Sequence, residues 1–177
     1  MSGHNKWSQI KVKKGAEDAK RSKLFSMLVR QITIEAKRAG GKREDPGLKG
    51  AVSRAQEANM PKDNIERAIA KATGVGAESF ENVTYEAFGP GGVAIVIEGI
   101  TDNKNRTTPE IKHLLSKQGL ALGGQGSALW AFDRVNGELQ PKSTTPLSAE
   151  DQKKLEQIVE SLEEHTDIKA VITNSAN

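Results

Sequence analysis

Lysine and arginine crowd the start of this chain, and the chemistry they suit is the gripping of a polyanion. The first 30 residues carry Lys6, Lys11, Lys13, Lys14, Lys20, Arg21, Lys23 and Arg30 against only Glu17 and Asp18. Cations that neutralise phosphates release condensed counterions, so such a cluster binds nucleic acid without reading its sequence. Trp7 sits among the lysines, close to His4. An indole in a basic arm can stack on an unpaired base, worth roughly 1–3 kcal/mol, or it can pack the arm onto the body of the protein. Two further segments have suitable residue types. Asn59-Met60-Pro61-Lys62 sets Lys62 near a helix start, where free backbone amides attract phosphate, although the same residues also serve as a plain helix break. Lys104, Asn105 and Arg106 lie between a strand and a helix start and suit phosphate contact. The neighbouring Asp102 and Asn103 also fit ordinary turn and cap roles.

Catalytic and metal-binding constellations are missing from the sequence. His4, His113 and His165 are far apart and lack ligand spacing, and there is no cysteine. Gly89-Pro90-Gly91-Gly92-Val93-Ala94 matches G-x-G-x-x-A on paper. A dinucleotide site needs a helix after that pattern, whereas here a strand follows, so it reads as a hairpin turn. Gly123-Gly124-Gln125-Gly126 lacks the Lys-Ser/Thr of a phosphate loop. No nucleophile-elbow motif occurs. The expectation is a protein that is not an enzyme, with no cofactor, no metal and no small-molecule substrate. The absence of cysteine fits a reducing compartment. No apolar run approaches the ~18 residues of a membrane span, and no signal sequence is legible. A cytoplasmic protein with no membrane partner is expected.

The charge is divided along the chain. Residues 1–74 hold 17 Lys/Arg and 8 Asp/Glu, and residues 75–177 hold 9 and 15. A basic body followed by an acidic one predicts two domains, 1–74 and 75–177, with the first turned toward a polyanion.

The positioning elements follow from periodicity. Phe25, Leu28, Val29, Ile32 and Ala36 form one face of a helix running from about Asp18 to Ala39, closed by Gly40-Gly41. A second helix after Asp45-Pro46-Gly47 carries Leu48, Ala51, Val52 and Ala55, and a third after Pro61 carries Ile65, Ala68, Ile69 and Ala72. A basic arm and a three-helix bundle result. Beyond a glycine-containing link at 73–80 the period becomes two, with Val83, Tyr85 and Ala87 alternating against Thr84, Glu86 and Phe88. Val93–Ile97 is a continuous apolar run, as in a central strand buried on both faces. Thr107 and Glu110 have capping-box spacing for a helix reaching about Lys117. Ser127–Phe132 reads as a strand and 133–147 as a loop. Ser148 caps a helix whose inward stripe is Leu155, Ile158, Val159 and Leu162, and Ile168–Ile172 is a last strand. The predicted class is α+β: a helical bundle followed by a sandwich, with a mainly antiparallel sheet of about four strands and two helices on one face.

Several long motifs, in this order, resemble the YebC/PmpR family. They are Gly3-His4-Asn5-Lys6-Trp7, then Lys20-Arg21-Ser22-Lys23-Leu24-Phe25, then Asn59-Met60-Pro61-Lys62-Asp63-Asn64-Ile65-Glu66-Arg67-Ala68-Ile69. Tyr85-Glu86-Ala87-Phe88-Gly89-Pro90-Gly91-Gly92-Val93-Ala94 and Thr101–Thr107 continue the match, which covers about 1–134 and 148–173. The resemblance implies a helical first lobe with α/β lobes behind it. It also implies a non-enzymatic role in gene expression, through DNA in members labelled transcriptional regulators. Other members are linked to the ribosome, to translational activation of cytochrome oxidase in mitochondria and to relief of stalling. It makes Lys11–Lys23, Met60–Lys62 and Lys104–Arg106 RNA-facing candidates. Most members are longer, with a third lobe inserted after the strand ending near Phe132, where this chain has only the segment 133–147. The expected role is an RNA- or ribosome-associated translation factor touching rRNA or tRNA, with a DNA-binding transcriptional regulator as the alternative. A mixed arm-and-loop surface suits irregular RNA better than a regular groove.

Overall fold

The computed structural model describes residues 14–176, with side chains described from Glu17 onward. Their order is α1 (Lys14–Arg38), α2 (Pro46–Glu57), α3 (Lys62–Thr73), β1 (Glu81–Phe88), β2 (Ala94–Thr101), α4 (Lys104–Lys117), β3 (Phe132–Val135), β4 (Glu138–Pro141), α5 (Ala149–Glu163) and β5 (Ile168–Thr173). The chain forms two compact units. One is helical, runs to Asn82 and includes Ile100–Asn103; the other holds Val83–Gly99 and the residues from Lys104 on. Residues 75–82, read from sequence as the opening of the second domain, cluster with the helices.

In the helical unit the α1 stripe Phe25, Leu28, Val29, Ile32 and Ala36 packs on Leu48, Ala51 and Ala55 of α2 and on Ile65, Ala68, Ile69 and Ala72 of α3. The alanines let the helices approach closely. α1 ends where Gly40 and Gly41 adopt φ of +58° and +77°, and the Gly41 N–H returns to the Ala36 carbonyl at 2.9 Å. α2 starts on Asp45, which accepts from the Gly47 and Leu48 N–H groups at 2.9 and 3.2 Å, with Pro46 in the first turn. The Leu48 bond, joined by Arg38, holds the Asp45 carboxyl below its ordinary pKa against its partial desolvation. Met60 lies in the break between α2 and α3, as expected, but its side chain is buried in this core and does not face outward toward RNA.

The α/β unit is built on a three-stranded sheet, β1-β2-β5. A short turn joins β1 to β2, which makes that pair antiparallel, and β2 is antiparallel to β5. Val93–Ile97 is buried throughout, as expected of a central strand, and both its faces are covered. Ile95 and Ile97 pack with Ile111 and Leu115 of α4 and with Leu155, Ile158, Val159 and Leu162 of α5. Ala94 and Val96 pack with Ala128, Ala131 and Phe132.

That second cover differs from the sequence expectation. Ser127–Phe132 is not a fourth strand of the sheet: Leu129–Ala131 is a 3₁₀ turn. The segment 133–147 is not simply a loop, since β3 and β4 form their own hairpin. Asn136 and Gly137 take φ of +52° and +84°, the two-residue turn that matches the twist of flanking strands. Pro141 made the segment look like a loop, yet it stands at the last register position, opposite Phe132. α4 begins at Lys104, three residues before the predicted cap, and Pro109 inside it gives up a single i→i−4 bond. Ser148 caps α5 as expected, accepting from the Asp151 N–H at 3.1 Å.

A register shift between Glu98 and Gly99 brings the Gly99 backbone against the Asp167 carbonyl oxygen, and a Cβ there would collide with it. Gly99→Ala is expected to destabilise the unit by about 1–3 kcal/mol, read as a lower urea midpoint with unchanged slope.

Candidate nucleic-acid interface

Of the predicted contact residues, His4, Lys6, Trp7, Lys11 and Lys13 lie outside the described residues. Lys14 opens α1, and its side chain is likewise undescribed. Lys20 and Arg21 follow in the early turns and are exposed, with the Arg21 guanidinium 5.2 Å from the Phe25 ring centroid. Lys23 is half-buried and has a partner.

Arg30 takes a different part from the one expected. Its Nη1 donates to the Ile100 carbonyl at 2.7 Å, and its guanidinium lies 5.3 Å from the Phe80 ring centroid. Lys37, one face neighbour further along, donates to Ser79 Oγ at 2.6 Å. α1 is therefore covered on two sides, by α2 and α3 and by the segment around Phe80. Met27 and Thr33, which lie off the main stripe, are also buried, at 2% and 6% exposed.

Lys62 is exposed at the first residue of α3, next to Asp63, and lies near enough to Glu66 to favour its ionised form. Glu66 is held chiefly by Arg43, whose guanidinium bonds both its oxygens. Arg67 bonds the Asn64 side chain and the Asp63 carbonyl. Lys20, Lys42, Lys49, Arg54 and Lys71 of this unit are exposed, and none has a carboxylate ion-pair partner among the described residues.

The third predicted patch divides. Lys104 and Asn105 are exposed at the start of α4, but Arg106 donates to Asp167 Oδ2 at 2.7 Å. Thr107, expected as a cap, is buried and donates to the same oxygen at 2.7 Å. Asp167 is 1% exposed, so these bonds stabilise a carboxylate removed from water. His165 accepts from the Asp167 N–H at Nδ1, and its Nε2 is 2.8 Å from Glu110. Glu110, His165 and Asp167 offer donor atoms close enough together for a cation. The Arg106 guanidinium already sits on Asp167 and 3.9 Å from Glu110, so this cluster has its positive charge. Arg106→Ala is expected to lower stability by about 1–3 kcal/mol while leaving the nucleic-acid affinity of the folded protein unchanged. Thermal melts and anisotropy titrations of the same preparation separate the two effects.

One further group was not found by sequence reasoning. Glu86 is 3% exposed and accepts three backbone N–H bonds, from Gly126 at 2.6 Å and from Ala128 and Leu129 at 2.7 Å each. Burial pushes its pKa up, but the three donors overcome that and hold it below the usual carboxylate range. The turn it holds displays Trp130, 66% exposed, with its Nε1–H bonded to the Ser127 carbonyl at 2.8 Å.

Comparison with known proteins gives a consistent match. The family model described as the TACO1/YebC protein N-terminal domain matches residues 5–75, and the one for the TACO1/YebC second and third domain matches 80–137. A protein of Petrotoga mobilis named "Probable transcriptional regulatory protein" is 48% identical over 184 residues, covering 100% of this chain and 72% of that protein. One of the same name from Syntrophus aciditrophicus is 53% identical over 137 residues, covering 76% of this chain and 55% of its own length. The crystal structure of a conserved hypothetical protein from Aquifex aeolicus superposes with a TM-score of 0.81 at 31% identity, covering 96% of each chain.

Proposed function

Because the chain belongs to the TACO1/YebC family, we propose that it is a regulator of gene expression that works by binding nucleic acid. It acts without catalysis, in the cytoplasm, on RNA of the translating ribosome. The observation that carries this reading is the set of outward cations in the helical unit. Lys20 and Arg21 stand on the early turns of α1, and Lys42, Lys49, Arg54 and Lys71 are exposed on the same unit without bonded carboxylates among the described residues. They share the unit with exposed acids such as Glu17, Asp18 and Glu44, but residues 17–82 hold 13 Lys/Arg against 10 Asp/Glu, so the excess is positive. No helix among the described residues is long and apolar enough to cross a membrane.

RNA is favoured over DNA by the condition of α3. A helix that reads a major groove uses its N-terminal side chains on base edges. Here Asp63 stands in that first turn, and Arg67 is turned back onto Asn64 and the Asp63 carbonyl. The second reading is a DNA-binding transcriptional regulator, favoured by the names of the relatives. Fractionating lysate on a sucrose gradient tests the two. Co-sedimentation with ribosomes, reversed by high salt, is expected. A sequence-specific promoter footprint with no ribosome association would replace the first reading by the second.

A further inference from the structure

We infer that Trp130 is a second nucleic-acid contact in its own right, a fixed platform on which one unpaired base stacks. This rests on the nucleic-acid-binding reading above. A large aromatic left 66% exposed is unusual for a side chain that favours burial. Two restraints hold it there. Its Nε1–H is bonded to the Ser127 carbonyl, which fixes the ring's edge. The buried Glu86 carboxylate gathers three N–H groups of the turn that carries it. A charge removed from water to immobilise a surface turn, whose large exposed group is an indole, is the arrangement of a presented contact. Gly124 and Gly126, just before the turn, face open space.

The charged residues that follow Trp130 in the chain bear on what it receives. Asp133 pairs with Lys142 at 3.5 Å, and Arg134 pairs with Glu98 at 2.8 Å. These two pairs cancel one another's charge, within a half of the chain that is acidic as a whole. A cationic peptide would seek bare carboxylates, and a duplex keeps its bases stacked on one another. An uncharged planar ring from a single strand fits the site, because every base has a π-face and stacking tolerates any sequence.

The chain has two tryptophans, so in a Trp7→Phe background the emission reports on Trp130 alone. Titration with a single-stranded oligoadenylate dodecamer is expected to quench it saturably, and a duplex of equal length is expected not to. Trp130→Ala should weaken binding of the dodecamer about tenfold with the salt slope unchanged. Trp130→Phe should restore most of the affinity, and an unchanged melting midpoint shows the fold intact. Equal affinity of Trp130→Ala and its parent would overturn the inference, as would equal quenching by duplex, or quenching by octa-arginine without any by the dodecamer. If neither oligonucleotide binds in the anisotropy assay, the nucleic-acid reading fails first and takes this one with it.

Discussion

Glu86→Gln is expected to destabilise the α/β unit by about 2–4 kcal/mol, measured by urea unfolding at pH 7. Both carboxylate oxygens are in use, one by Gly126 and the other by Ala128 and Leu129. An amide in that place must aim its own NH₂ at one or two backbone donors, and those donors stay buried without an acceptor. The same bonds make the effect depend on pH. The folded pKa of Glu86 is lowered, so its contribution is complete above the unfolded carboxylate value, about 4.3, and is lost as pH falls through the folded one. The difference between wild type and Glu86→Gln should therefore shrink between pH 7 and pH 3. A difference that stays constant over that range would mean the charge is not what holds the turn.

The double substitution Lys20→Glu with Arg21→Glu is expected to weaken binding of nucleic acid by roughly 10–100-fold and to flatten its salt dependence. Two phosphate contacts account for a change of about 1.4 on a single strand and about 1.8 on duplex DNA in the slope of log K against log salt, and reversing the charge adds repulsion. The loss should be uniform across sequences, because backbone contacts position and do not specify. Lys112→Glu with Lys117→Glu, on exposed sites of α4, changes the net charge equally and serves as the control. Equal losses in the two pairs would show that only total charge matters. No loss in either would show that α1 is not the contact.

Much of this architecture can be read from the amino acids because burial imposes a period on them. The stripe Phe25–Ala36 and the run Val93–Ile97 each had one sensible reading, and each packs accordingly. The surprises fall where a side chain's partner is distant in sequence. Glu86 looks like the outward member of an alternating strand, and only the return of residues 126–129 across the sheet makes it an internal acceptor. Arg106 and Thr107 look like loop and cap residues until Asp167, about 60 positions later, arrives beside them. Arg30 counts as a free cation until Phe80 and Ile100 close over it. The β3–β4 hairpin has its signal in the Asn136-Gly137 pair, which the loop reading of 133–147 passed over. For the interface the residue types and overall polarity are legible in the sequence, whereas the partners of Arg30 and Arg106 arrive from segments far along the chain.

The turn at Asn136–Gly137 has a bearing on how this protein can be extended. Chain entering and leaving a two-residue hairpin is separated by about 5 Å, so an autonomously folding body with adjacent termini can be spliced between those residues without disturbing the ladder below. The match to the model for the family's second and third domain stops at residue 137, and several relatives are nearly twice the matched length. A reporter grafted at this tip should leave both units folded.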